Sequence, residues 1–179
     1  IHFCADIGGK LLVHGSPHQR TFKEAWRFEE SWERAKDTFR ACLGTAQKRN
    51  VIYCIEPLSR KSTNFINTVT DALRMVQEIR HPNFKLIFDC RSASAEEKSV
   101  NEAMIRALDS RALCHIHVND ESGKGPGFGE TKFAPILKTL VKNGYKGYIS
   151  VEVFEFNTDT QTIASRSIGY LRGILETLL

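Results

Sequence analysis

The chain has 179 residues, 25 Lys and Arg against 21 Asp and Glu, a formal net charge of +4, and 41% hydrophobic and 26% charged residues. Those proportions fit an ordinary globular domain and exclude a disordered or collagen-like chain. No run approaches the roughly 18 uninterrupted apolar residues of a membrane span, no basic segment followed by an apolar one opens the chain as a signal peptide would, and the basic residues are scattered rather than gathered into a footprint for nucleic acid or anionic lipid.

The expectation is a cytoplasmic protein that binds neither nucleic acid nor membrane, with small anionic ligands left open. The five cysteines are odd in number and lack C-x-x-C spacing, and Cys54, Cys90 and Cys114 lie in apolar runs, so reduced, buried thiols are expected rather than a disulfide framework or zinc knuckle.

Ile1 to Gly9 reads as the end of a helix plus a turn. A strand is predicted from Lys10 to His14, followed by Gly15-Ser16-Pro17, where the backbone can approach a ligand closely. His14 is therefore a candidate for lining a site, with a capping or turn role as the alternative. A long helix is predicted from Phe22 to Arg49, and its stripe of Trp26, Phe28, Trp32 and Phe39 suits core packing or a contact between subunits, which leaves a homodimer open.

Strands from Val51 to Glu56, Phe84 to Asp89, Ala112 to Val118 and Tyr148 to Val153 follow, being short runs rich in β-branched and aromatic residues. Helices are predicted from Val69 to Ile79, about Ala95 to Asp109, Lys132 to Lys142, and Thr160 to the end. Ala72, Leu73, Val76 and Ile79 give one of them an apolar stripe, as do Pro135, Ile136, Leu137, Leu140 and Val141 in another. Pro82 stops the helix that ends near Arg80, and Gly144 suits a left-handed C-cap.

This alternation is the signature of a parallel sheet flanked by helices, an α/β fold. No linker divides the chain, so a single domain over 1–179 is expected. Five strands do not close a parallel barrel, which takes eight strands and about 250 residues. The sheet is expected to be open or the chain incomplete, and the absence of an initiating Met points to a missing N-terminal part.

Polar residues fall at the ends of the apolar strands. Glu56 closes Val-Ile-Tyr-Cys-Ile, Asp89 closes Lys-Leu-Ile-Phe, His117 sits near the end of Leu-Cys-His-Ile-His-Val, and Glu152 follows Tyr-Ile-Ser-Val. Their separations of 33, 28 and 35 residues each match one strand-helix unit of roughly 30 residues. Carboxylates often end strands simply because strands end at water. Four titratable groups in four consecutive strands point instead to one shared site at the C-terminal rim.

Two glutamates, an aspartate and a histidine make an oxygen-rich set suited to one hard or borderline divalent ion, Mn²⁺, Mg²⁺ or Co²⁺, with Zn²⁺ as a further option. His115, two residues before His117, shares its strand face one layer deeper and reads as a packed core histidine. Gly123 to Gly129 is a glycine-rich loop that matches neither the dinucleotide fingerprint nor the nucleotide-triphosphate loop, and reads as a rim or lid.

Several segments together resemble the xylose-isomerase-like TIM barrels, in particular the sugar isomerases and epimerases related to D-tagatose 3-epimerase. They are Ile55-Glu56-Pro57-Leu58-Ser59-Arg60, Asn64-Phe65-Ile66-Asn67-Thr68, Asp71-Ala72-Leu73, His81-Pro82-Asn83, Asp89, His115-Ile116-His117, Pro126-Gly127-Phe128-Gly129, Gly144-Tyr145-Lys146-Gly147 and Ser150-Val151-Glu152. The resemblance runs over nearly the whole chain and implies a (β/α)8-type barrel of which this chain covers about the last five units.

By position it places the metal ligands on Glu56, Asp89, His117 and Glu152, with manganese first among the candidate ions, and makes Glu56 and Glu152 the acid/base pair. It implies a divalent-metal-dependent sugar isomerase or 3-epimerase that moves a proton next to the carbonyl of a ketose or related polyol through an enediolate. Its substrate-contacting positions fall on Ser62, where such enzymes often carry Glu, on Ser92, where they carry His, and on Gly123, where they carry Arg and where Lys124 is the neighbouring substitute. His14, Arg60 and His115 complete the candidate substrate-binding set.

Two other readings remain. An endonuclease IV-like phosphodiester hydrolase would share the four ligands and His14, but needs further His and Asp ligands, one directly after the first aspartate and a pair where this chain has Lys124-Gly125-Pro126-Gly127. A non-catalytic module that grips a metal or polyol would fit the departures at Ser62, Ser92 and Gly123.

Overall fold

The computed structural model describes residues 1–23 and 25–179. The strands lie in the order β1 (Leu11–His14), β2 (Ile52–Ile55), β3 (Phe84–Asp89), β4 (Leu113–Val118) and β5 (Tyr148–Val151), and the pairs β1–β2, β2–β3 and β4–β5 are parallel. The alternating α/β pattern read from the sequence is thus present. The chain forms two compact units, Ile1–Ile87 and Phe88–Leu179, and β3 starts in the first and finishes in the second. Among the described residues, no helix is long and apolar enough to cross a membrane.

In the first unit, α1 (His2–Asp6) and a turn precede β1, and α2 (Pro17–Arg20) follows it with Pro17 at its first position, where a missing N–H costs nothing. Helix α3 spans Phe28–Lys48, so it starts later than the predicted Phe22. Residue 24, inside the predicted helix, lies outside the described residues. Asn64 explains the late start, because its side chain accepts from the Phe22 N–H at 3.1 Å and donates to the Phe22 carbonyl at 2.9 Å, holding that backbone out of a helix. Trp32 and Phe39 are buried, whereas Trp26 and Phe28 are exposed.

Helix α4 (Val69–Ile79) starts where a capping box dictates. The Thr68 hydroxyl accepts the Asp71 N–H at 3.1 Å, and the Asp71 carboxylate accepts the Thr68 N–H at 3.0 Å. Its buried face is Val69, Ala72, Met75 and Ile79, with Leu73 and Val76 half-buried beside it. Trp32, Phe39, Phe65, Met75, Phe84 and Leu86 fill the core of this unit, and each such burial contributes about 1.5–3 kcal/mol. The Trp32 indole donates to Glu78 at 2.9 Å; that bond, with those from Lys36 and Arg74, holds the Glu78 carboxyl down to about 2.

In the second unit the helix predicted over 95–109 corresponds to α6 (Val100–Asp109), and a separate short helix, α5 (Cys90–Glu96), lies almost wholly before the predicted range. Each has its own cap. Asp89 accepts the Ser92 N–H at 2.6 Å, and the Ser99 hydroxyl accepts the Glu102 N–H at 3.3 Å. Helices α7 (Phe133–Lys142) and α8 (Thr160–Glu176) complete the unit.

Gly144 takes φ 65° after α7, and the N–H groups of Gly144 and Tyr145 return to the carbonyls of Val141 and Leu140, each at 3.0 Å. This Schellman arrangement is why a glycine is needed there. Phe133, Ile136, Leu137 and Leu140 form the buried face of α7, Val141 is half-buried, and Pro135 is exposed, contrary to the predicted stripe. Cys54 and Cys90 are buried, while Cys114 is only half-buried.

Candidate metal centre

The second unit by itself brings three of the predicted ligands together. Asp89, at the end of β3, His117, near the end of β4, and Glu152, one residue past β5, each offer a donor atom, and these atoms lie within 4.8 Å of one another. Parallel strands deliver their C-terminal ends to one edge, so residues far apart in sequence meet there. Glu152 is set by its own backbone, its N–H donating to the Val118 carbonyl at 3.2 Å. Its Oε2 lies 3.3 Å from His117 Nδ1.

Asp89 has two tasks. Oδ1 caps α5 through the Ser92 N–H at 2.6 Å, and Oδ2 accepts from the Asn119 amide at 2.7 Å, which leaves a lone pair on each oxygen for a cation. The Asn119 amide nitrogen also reaches Glu152 Oε2 at 3.3 Å, and its Oδ1 accepts the Arg91 N–H at 2.9 Å. Asn119 is fully buried, as is Asp89 almost completely, with exposures of 0% and 5%. The sequence reading missed Asn119, although the signal was available: it follows His115 and His117 at the two-residue period that keeps side chains on one strand face.

Two carboxylates and an imidazole suit a hard or borderline divalent ion. Donors bound to one such ion lie at most roughly 4–5 Å apart across it, and this set meets that separation. The residues present can hold a divalent metal.

The His115 ring packs edge-to-face on His117 with centroids 5.2 Å apart, and burial, then the charge of His117, lowers its pKa. Ser92 is buried at the third position of α5, its N–H taken by Asp89. Lys124 is half-buried in the glycine-rich loop, its carbonyl accepting the Asp120 N–H at 2.9 Å. Asp120 organises that loop. Burial alone would raise its carboxyl, but hydrogen bonds from Ser122 and Thr131 outweigh this and hold it at about 2.

In the first unit, Glu56 immediately follows β2 and is 5% exposed, with its N–H donating to the His14 carbonyl at 3.2 Å. Gly15 lies so close that a Cβ there would fall 2.5 Å from Glu56 Oε2. The close backbone approach at Gly15 therefore makes room for a carboxylate. His14 is in register with Ile55, so its side chain takes the strand face opposite to that of Glu56. The ring packs edge-on against Phe39 and Tyr53, with centroids at 5.4 and 5.8 Å, and Nδ1 lies 2.7 Å from the Tyr53 hydroxyl.

Burial pushes the Tyr53 hydroxyl up to about 12, and burial followed by the charge of Arg20 lowers His14. Arg60 and Ser62 lie exposed in the loop after Glu56. The three guanidinium nitrogens of Arg20 are buried without a hydrogen bond among the described residues, and burial lowers the group to about 10 against the opposing effect of the Glu56 charge. Nothing in the hydrophobic pattern marks Arg20 out.

A family model described as xylose isomerase-like TIM barrel matches residues 1–174. A D-psicose 3-epimerase of Ruminiclostridium cellulolyticum is 32% identical over 123 residues, 69% of this chain and 41% of its own. A 3-dehydro-D-guloside 4-epimerase of Escherichia coli is 29% identical over 155 residues, 83% of this chain and 58% of its own. The solved structure of an L-ribulose 3-epimerase superposes with a TM-score of 0.89 at 21% identity, covering 99% of this chain and 65% of that one. The chain spans about half the length of the curated relatives it matches.

Proposed function

The chain belongs to the xylose isomerase-like TIM barrel family, and from that premise we propose that it is part of a divalent-metal-dependent isomerase, an epimerase that moves a proton next to the carbonyl of a ketose or related polyol. The observation that carries this reading is the meeting of Asp89, His117 and Glu152 at the ends of successive parallel strands. Glu56, held at the end of β2 against Gly15, is the fourth ligand in this reading, and Mn²⁺ is the first candidate ion ahead of Mg²⁺, Co²⁺ and Zn²⁺. Residues 1–179 then form a single domain, consistent with a family match that runs through both compact units.

A bound divalent ion supplies Lewis-acid stabilisation of the negative charge that develops on the substrate oxygen. The chain's residues do the rest. One of Glu56 and Glu152 takes the proton from the carbon next to the carbonyl, and the other returns one to the opposite face, which inverts that centre. His117 Nδ1, 3.3 Å from Glu152 Oε2, fixes the orientation of that carboxylate. Arg60, Ser62, Ser92, His115 and Lys124 are the candidate substrate contacts. His14 is a further candidate, its ring packed on Phe39 and Tyr53. The epimerase names of the curated relatives favour this reading over a phosphodiester hydrolase. A cytoplasmic location and a homodimer through the exposed Trp26 and Phe28 belong to the same proposal.

Solvent exchange tests it. In D2O with Mn²⁺ and a panel of ketoses, the protein is expected to place deuterium on the carbon next to the carbonyl, and Glu152→Ala to abolish the exchange with the fold intact. Exchange by that variant at the wild-type rate would overturn the role given to Glu152.

A further inference from the structure

We propose that Asn119 is a positioning residue that fixes the two carboxylates Asp89 and Glu152 at one spacing, so that the affinity of the metal centre depends on this neutral amide outside the ligand set. This deepens the metal-centre reading above and rests on it.

The orientation of the amide is decided by its surroundings. Oδ1 accepts the Arg91 N–H at 2.9 Å, which only the oxygen end can do, so the NH2 end faces the carboxylates. From there Nδ2 donates to Asp89 Oδ2 at 2.7 Å and lies 3.3 Å from Glu152 Oε2. Both N–H bonds are directed at proposed ligands, one on β3 and one just past β5, and the amide itself sits just past β4.

Asn119 and Asp89 are also locked to the same turn. Asp89 takes the Ser92 N–H and Asn119 takes the Arg91 N–H, so the two side chains satisfy adjacent donors at the start of α5. Turning the amide would break all these bonds in a place with no water to replace them, since Asn119 is 0% exposed. The charge matters as well. Two carboxylates this close repel, and a Lys or Arg between them would relieve the repulsion only by competing with the cation, whereas an amide donates without neutralising the pair. Partners of this kind typically hold 10–100-fold in metal affinity.

The test is Mn²⁺ binding by the metal-stripped chain, read by competition with a fluorescent chelator, in wild type, Asn119→Ala, Asn119→Ser and Asn67→Ala. Asn67 is the control, a buried amide donating at 2.7 and 2.8 Å to the carbonyls of Leu58 and Thr63, bonds that involve no ligand. Asn119→Ala is expected to bind Mn²⁺ about 10–100-fold more weakly, while Asn67→Ala loses thermal stability and keeps wild-type affinity. If Asn119→Ala does not fold, Asn119→Ser, which leaves room for water at the Arg91 N–H, is expected to show a loss in the same direction. A folded Asn119 variant that binds as tightly as wild type, or an equal loss in Asn67→Ala, would overturn the role of Asn119 alone. A wild type that binds no Mn²⁺ would overturn the metal centre and this role with it.

Discussion

Gly15 and Glu56 fit against each other with no room for a methyl group: a Cβ on Gly15 would lie 2.5 Å from Glu56 Oε2. Glu56 is almost fully buried, so it has little space into which to retreat. Gly15→Ala is therefore expected to fold yet displace the carboxylate and weaken Mn²⁺ binding by about tenfold or more, in the range found when the support of a metal ligand is removed. Glu56→Asp, which draws the carboxylate back by one methylene, should itself weaken binding, alone and combined with Gly15→Ala. Titration of the metal-stripped single and double variants checks this, and wild-type affinity in Gly15→Ala would contradict the crowding.

The His14 ring takes part in the aromatic packing of β1, β2 and α3. Replacing it with Phe removes the partner of the buried Tyr53 hydroxyl and should cost about 1–3 kcal/mol of stability. His14→Phe combined with Tyr53→Phe removes the stranded hydroxyl and should recover part of that cost. Denaturant unfolding measures both. Metal affinity should remain at the wild-type value, and a large loss of affinity in a folded His14→Phe would make this residue part of the metal centre.

The same histidine sets a pH dependence. Burial, then the charge of Arg20, puts the folded His14 pKa below its ordinary 6.5, and His115 is lowered by burial and then by His117. As pH falls, the unfolded chain takes up these protons first. The contribution to stability is complete above about 6.5 and is lost as pH falls through that value toward the lower folded pKa. Unfolding midpoints between pH 7.5 and 5 should therefore decline less steeply in His14→Phe than in wild type. Parallel curves would show that His14 titrates alike in the folded and unfolded chain.

Much of the fold is legible in the chain because the periods are clean. The strands are apolar runs and α4 runs from Val69 to Ile79 as predicted, between the Thr68 capping box and the stop before Pro82. Where the reading failed, a local side-chain bond had overridden the hydrophobic pattern. Asn64 holds Phe22 outside α3, the Ser99 cap starts α6 later than predicted, and the Asp89 cap starts a separate α5 that the pattern did not show.

The candidate site follows the same division. Asp89, His117 and Glu152 stand out because each titratable group ends an apolar run, and strand geometry collects them. Asn119 lies one step further along the β4 alternation, with a neutral side chain that no charge pattern flags. His14 also ends a strand, and its ring packs on Tyr53 and Phe39. Strand position is visible in sequence, whereas the facing of a single residue at the end of a four-residue strand depends on register.

The metal content of the purified protein tests the central claim most directly, by elemental analysis of wild type beside Glu56→Ala/Glu152→Ala after incubation with excess Mn²⁺. One divalent ion per chain in wild type, absent from the double variant, is the predicted result. No bound metal in wild type, or about three zinc ions per chain as a phosphodiester hydrolase would hold, would contradict it.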